Sequence, residues 1–163
     1  MNRRLILCAL AALTLAACGR GKDEAAVAPD ANLAAGRAFL ATNAKAEGVV
    51  TLPDGLQYKV VRQGPATGPS PRPQDLVKVH YEGKLLDGTV FDSSYERGQP
   101  AVFPLKGLVP AWITALQMMH PGDEWTLWVP SELGYGAEDK GAVPPNSVMV
   151  FRIELIDVAP QGA

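Results

Sequence analysis

The chain has 163 residues, 47% of them hydrophobic and 20% charged, a balance that fits one globular domain with an appendage and excludes wholesale disorder. Its 15 basic and 17 acidic residues leave a formal charge of −2. They form no basic stripe, so a nucleic-acid surface is excluded as well.

The first compositional break lies at the start. MNRR precedes LILCALAALTLAA, which carries neither charge nor proline. A basic opening ahead of an apolar run too short to span a bilayer is the pattern of a signal segment. The run ends Leu15-Ala16-Ala17-Cys18, then Gly19, which resembles a bacterial lipobox: residues 1–17 would be cleaved and Cys18 acylated. An ordinary signal peptide with an incidental cysteine, or an uncleaved anchor, are the alternatives. Losing Arg3 and Arg4 with residues 1–17 leaves 13 basic against 17 acidic side chains. Cys8 and Cys18 are the only cysteines, so the mature domain has no free thiol. That suits an oxidising compartment and excludes cysteine nucleophiles, redox motifs and thiolate metal sites.

Residues 18–31, small, charged and without periodicity, read as a flexible tether. NLAAGRAFLATNAKAEG then predicts a helix from about Asn32 to Glu47 with Gly48 as its stop, an N-terminal unit of residues 32–48. Only Leu33, Phe39 and Leu40 are large apolar members, and Gly36 interrupts the stripe, so this helix needs a packing partner. From residue 49 to 163 the period changes. GLQYKVVRQG, DLVKVHYEGKLL, WTLWVP and SVMVFRIELIDV predict strands bounded by Gly, Pro and Asp. In the second, Val77, Val79 and Tyr81 share the core face, opposite Lys78, His80 and Glu82. In the last, Met149, Phe151, Ile153 and Leu155 oppose Arg152 and Glu154. VPAWITALQMM between them predicts a short helix, with Pro110 at its first position and Trp112, Ala115, Leu116 and Met119 on one stripe. An α+β fold follows: an antiparallel sheet with one short helix on its concave face.

Chemistry-bearing constellations are sparse. His80 reads as solvent-facing on its strand and His120 as opening a Pro-Gly turn, with no ligand cluster for a metal. Ser93 and Ser94 lack a histidine base in a nucleophile-elbow context, which argues against a hydrolase triad. Asp123-Glu124 reads as an exposed turn pair. What remains is aromatic: Tyr81, Phe91, Phe103, Trp112, Tyr135 and Phe151. Taken singly, each reads as core. A buried tyrosine hydroxyl needs a partner, and Asp92 in VFDSSY can accept from one while Arg97 neutralises it.

Together, VHYEGKLLDGTVFDSSYERGQPAVFPL, LVPAWITALQMMHPGDEW, ELGYGA and VPPNSVMVFRIELI resemble the FK506-binding-protein family of peptidyl-prolyl cis/trans isomerases. The likeness runs from about Leu52 to Val158, and EGVVTLPDGLQYKV looks like the bacterial subgroup of macrophage infectivity potentiators and periplasmic folding isomerases. The resemblance implies a sheet wrapped around one short helix and a proline pocket. Tyr81, Phe91, Asp92, Val109, Trp112, Tyr135 and Phe151 would be its catalytic residues, with Arg97, Phe103, Leu108 and Val143 contacting substrate. Trp112 would floor the pocket, Phe151 and Tyr81 would wall it, and the Val109 N–H and Tyr135 hydroxyl would meet substrate carbonyls. Asp92 would be a strut for Tyr81 and Arg97, or act directly on the twisting carbonyl. No cofactor or metal is implied. Partners would be proline-containing unfolded or nascent envelope proteins, FK506- or rapamycin-type macrolides, and a membrane reached by the lipid on Cys18. Gly19 points by analogy to the outer membrane, facing the periplasm, and the short helix to a monomer or weak dimer. A non-catalytic proline-binding or chaperone-like lipoprotein is the alternative. Three departures stand out: Ala101 replaces an aromatic found in some members, Ala111 replaces a common glycine, and the loop GAEDKGAVPP is about one residue short. The last leaves the role of Lys140 open.

Overall fold

The computed structural model describes residues 29–65 and 68–160; the signal segment, Cys18 and the tether as far as Ala28 lie outside them. Helix α1 spans Pro29–Asn43, followed by strands β1 (Val50–Thr51), β2 (Gln57–Arg62), β3 (Leu76–Leu85), β4 (Val90–Ser93) and β5 (Ala101–Pro104). Helix α2 (Pro110–Leu116), β6 (Glu124–Val129) and β7 (Met149–Ala159) complete the order, with single 3₁₀ turns at Leu105–Gly107 and Ser131–Leu133. The strands form one antiparallel sheet in the order β1-β2-β6-β7-β3-β4, and β5 also pairs with β3.

The two longest strands lie together at the centre. Alternation in β3 buries Val77, Val79 and Tyr81 and leaves Lys78 exposed, as the period-2 pattern requires. Met149, Phe151, Ile153 and Leu155 of β7 are buried likewise. Against this inner face lies α2, whose Ala111, Trp112, Ala115 and Leu116 are all buried. Pro110 occupies its first turn, where the absent N–H breaks no helical bond.

Several expectations are corrected. The helix expected over Asn32 to Glu47 begins at Pro29, inside the stretch read as tether, and ends at Asn43. A proline is compatible with a first helical turn, so it opens the helix rather than preceding it. Turns then carry the chain to Gly48, which takes φ +77°. Strands β4 and β5, four residues each, were not expected as strands. Asp123 and Glu124 are buried rather than exposed. The Asp123 carboxylate accepts the N–H groups of His120 and Gly64 at 2.8 and 2.6 Å, closing a turn from within. Glu124 opens β6 and is held by Arg152 at 2.6 Å and Arg62 at 3.5 Å. His80 is half-buried, stacked on Tyr95. It also stands 2.9 Å from Ser94 Oγ, so that serine does have a histidine neighbour.

Candidate functional site

Two long strands and several short elements converge beside α2. β3 brings Tyr81, β4 brings Phe91 and Asp92, β5 brings Phe103, and β7 brings Phe151. The 3₁₀ turn and the start of α2 supply Leu108, Val109 and Trp112, and the chain after the second 3₁₀ turn supplies Tyr135. These nine residues and Gly107 line a hollow of about 260 Å³. That volume is just below the roughly 300 Å³ at which drug-sized pockets begin.

Trp112 lies at the centre. Tyr81, Phe103 and Phe151 approach it at centroid distances of 5.2, 6.3 and 5.3 Å, all near-perpendicular. Phe91 meets Phe151 edge-on at 5.7 Å. Edge-to-face packing matches the positive rim of one ring to the negative face of the next. The corner between Phe91 and Phe151 requires Gly83, because a Cβ there would come within 2.7 Å of both rings.

One edge of the hollow is polar. The Tyr81 hydroxyl donates to Asp92 Oδ2 at 2.5 Å, Arg97 Nη1 pairs with Asp92 Oδ1, and Arg97 Nη2 donates to the Tyr81 hydroxyl at 2.8 Å. Burial alone would raise the Asp92 carboxyl; the bonds from Tyr81 and Arg97 and the guanidinium charge outweigh it and hold the group below its ordinary range. Tyr81 moves the other way. Burial and the carboxylate beside it raise the phenol above its usual value, against the opposing pull of Arg97. The carboxylate is therefore ionised and the phenol neutral near pH 7.

Another part of the rim is set by backbone. The Leu108 N–H bonds Leu105 O, and those of Trp112 and Ile113 bond Val109 O. The Val109 N–H takes no part in these turn bonds. Tyr135 is held at the root of a loop closed by Gly136 N–H to Ser131 O and Asn146 N–H to Gly136 O. Lys140, whose role the sequence left open, pairs with Glu138 at 2.5 Å and lies 5.7 Å from the Tyr135 ring centroid.

Nine of the expected pocket residues thus line one hollow, and two do not. Arg97 stands outside the lining and acts on it through Asp92 and Tyr81. Val143 is buried in the core rather than facing the hollow. Gly107 was missed; its sequence signal was the Lys-Gly turn between Phe103 and Val109. Cys18 lies outside the described residues. Among the described residues no group of three or more His, Cys, Asp or Glu side chains could hold a metal ion. A larger hollow of about 490 Å³ beside α1 has no aromatic side chain in its lining. The smaller one, with convergent rings and a perturbed acid, is the better candidate.

Comparison with known proteins agrees with this geometry. Residues 68–156 match the family model for FKBP-type peptidyl-prolyl cis-trans isomerases, and residues 11–60 match the model for the domain amino-terminal to such isomerases. The chain is 50% identical over 126 residues to the FKBP-type 22 kDa peptidyl-prolyl cis-trans isomerase of Escherichia coli K12, covering 77% of this chain and 60% of that protein. It is 45% identical over 128 residues to the outer membrane protein MIP of Legionella longbeachae, covering 78% of this chain and 54% of the relative. The chain therefore spans little more than half the length of these curated relatives. The crystal structure of FkpA from Escherichia coli superimposes with a TM-score of 0.77 at 42% identity, covering 81% of this chain and 61% of that one. With half its length matched by one model and with relatives this similar, the chain belongs to the FKBP-type peptidyl-prolyl cis-trans isomerase family.

Proposed function

We propose that this protein is a peptidyl-prolyl cis/trans isomerase acting on proline-containing segments of unfolded or nascent envelope proteins. The observation that carries this reading is the ring of Tyr81, Phe103 and Phe151 around Trp112, edged by the Tyr81–Asp92–Arg97 triangle. It offers an apolar seat for a proline ring beside fixed polar groups, and no nucleophile.

The reaction needs none. An X-Pro bond resists rotation because its amide is resonance-stabilised, and unaided exchange takes tens to hundreds of seconds. Water favours the planar, charge-separated amide, whereas a pocket walled by rings withdraws that preference, and the twisted form is disfavoured less. A ~10⁴-fold acceleration requires only about 5.5 kcal/mol off the barrier. With the proline ring on Trp112, the Val109 N–H and the Tyr135 hydroxyl would bond the flanking carbonyls and favour the twisted geometry. Asp92 serves as a strut: its oxygens are already engaged by Tyr81 and Arg97. Val143 would support the wall from behind.

A protease-coupled assay on a proline tetrapeptide tests this directly. Acceleration by the domain, abolished by an FK506- or rapamycin-type macrolide seated in the hollow, is expected. Binding of proline peptides without acceleration would favour a non-catalytic, chaperone-like module instead. For placement, we propose a lipoprotein attached through Cys18 to the outer membrane and facing the periplasm. The Leu15–Cys18 motif supports this, as does the name of the Legionella longbeachae relative. Two or more acyl chains hold a protein firmly where one does not, at about 0.8 kcal/mol per buried methylene. Fractionation of wild type and Cys18→Ala should find the first with membranes and the second soluble; a mature wild type found wholly soluble refutes the anchor.

A further inference from the structure

One edge of β3 is shared by two strands. β5 pairs with Leu76–Val79 and β4 with Glu82–Lys84. Tyr81 falls between them, and both of its edge-facing backbone groups are taken by one residue just past β4. Ser94 Oγ accepts the Tyr81 N–H at 2.7 Å, and the Ser94 N–H donates to Tyr81 O at 2.9 Å, with Oγ itself 3.2 Å from that carbonyl. Ser94 is fully buried. From the outer face of the sheet, His80 Nδ1 lies 2.9 Å from the same Oγ. The His80 ring is held flat against Tyr95 at 4.7 Å, and Tyr95 in turn lies under the Arg152 guanidinium at 5.1 Å.

We propose that Ser94, braced by His80, is a positioning residue for Tyr81 and, through its hydroxyl, for Asp92. This rests on the isomerase reading above. A serine hydroxyl has one proton and two lone pairs. One lone pair of Ser94 is spent on the Tyr81 N–H. Either His80 donates to the other and the proton goes to Tyr81 O, or the proton goes to His80. Both arrangements tie the oxygen between β3 and the histidine, and its full burial keeps it out of reach of a substrate. The clasp falls at the one β3 residue whose side chain both walls the hollow and donates to Asp92. Small misplacements of a positioned group are costly in rate, so a loosened Tyr81 backbone acts on the hollow directly. A serine that only filled a gap between strands would contribute to folding and leave the reaction alone.

The test is a double-mutant cycle on kcat/KM. Ser94→Ala and Tyr81→Phe should each lower it about tenfold, and the double variant should fall no further than the worse single one, as coupled residues do. His80→Leu should show a smaller loss in the same direction. His80→Asn, whose amide places a polar atom where Nδ1 sits, should recover most of it. That pair remains informative if Ser94→Ala fails to fold, because His80 is only half-buried. The Tyr81 amide proton, followed by NMR, should move upfield in His80→Leu and return in His80→Asn. Wild-type rates in Ser94→Ala, full activity in Tyr81→Phe, additive losses in the double variant, or equal losses in the two His80 variants would each overturn the clasp. A wild-type domain without isomerase activity would instead defeat the reading on which it rests.

Discussion

Asp92 keeps its charge beside a hollow made mostly of hydrocarbon because Tyr81 and Arg97 both donate to it. Its folded pKa is depressed. The stability this adds is fully present above the ordinary carboxylate range and is lost as pH falls through the lower folded value. Tyr81 is raised above its usual 10.0, so its contribution is fully present below that value and is lost as pH rises through the higher folded one. Neither group changes state between about pH 6 and 8. The predicted kcat/KM profile is therefore flat across that window, and a limb near neutrality that vanishes in Asp92→Asn would assign the carboxylate a direct role. Asp92→Asn, which still offers Tyr81 an acceptor, should retain substantial activity. Trp112→Ala and Phe151→Ala should lose most of theirs, and calorimetry should find each about 3–5 kcal/mol less stable, as for large aromatic deletions from a core.

Helix α1 shows how an element with a weak apolar stripe is kept in place. Gln57 Nε2 donates to Leu40 O and its Oε1 accepts from Asn43 Nδ2, both at 2.8 Å, while Asn32 Nδ2 reaches Pro145 O at 3.0 Å. Gly36 lies flat on β7's approach, where a Cβ would stand 2.6 Å from Val148 Cγ2. Gln57→Leu is expected to speed amide exchange throughout α1 while leaving β3 and β7 protected, because the helix opens as a local unit. Arg37→Ala should change nothing measurable: its ion pair with Glu132 is 3.6 Å long and well exposed. The sequence revealed β3, β6 and β7 because each alternates long enough for period 2 to stand out. It concealed β4 and β5 because four residues carry no period of their own, and their strand character comes from pairing with β3. The ends of α1 were misplaced for the reason that its anchors are polar and lie on β2 and the 145 turn, far along the chain.

At the scale of the molecule, α1 rests on its own domain with Gly36 against Val148, Leu33 and Leu40 line the open hollow beside it, and its 15 residues offer a partner only a short face. Light scattering on a soluble form beginning at Pro29 should return a monomer mass, and a tight dimer at nanomolar concentration would contradict this. The hollow was legible through its motifs, which run in order from Tyr81 to Phe151, and its polar triangle through a buried tyrosine's need for a partner and the closeness of Asp92 and Arg97 in one motif. Burial of Asp123, Glu124 and Ser94 was not legible. Polar residues go inside only where specific partners await them, and those partners, Gly64, Arg62, Arg152 and His80, are brought in by topology.

The β2 border of the sheet is nearly bare. β1 covers only Gln57 and Tyr58, so among the described residues Lys59 to Arg62 have no outer strand beside them, and Val60 and Val61 are exposed. For a protein proposed to work among unfolded chains, such a border is a template on which a client could nucleate aggregation. Two devices blunt it. The register slips between Val60 and Arg62, which spoils a flat run of pairing groups, and Lys59 sets a positive charge ahead of the valine pair. On the proposed function, the sheet's own border is thereby withheld from the sticky, half-folded chains that the hollow would engage.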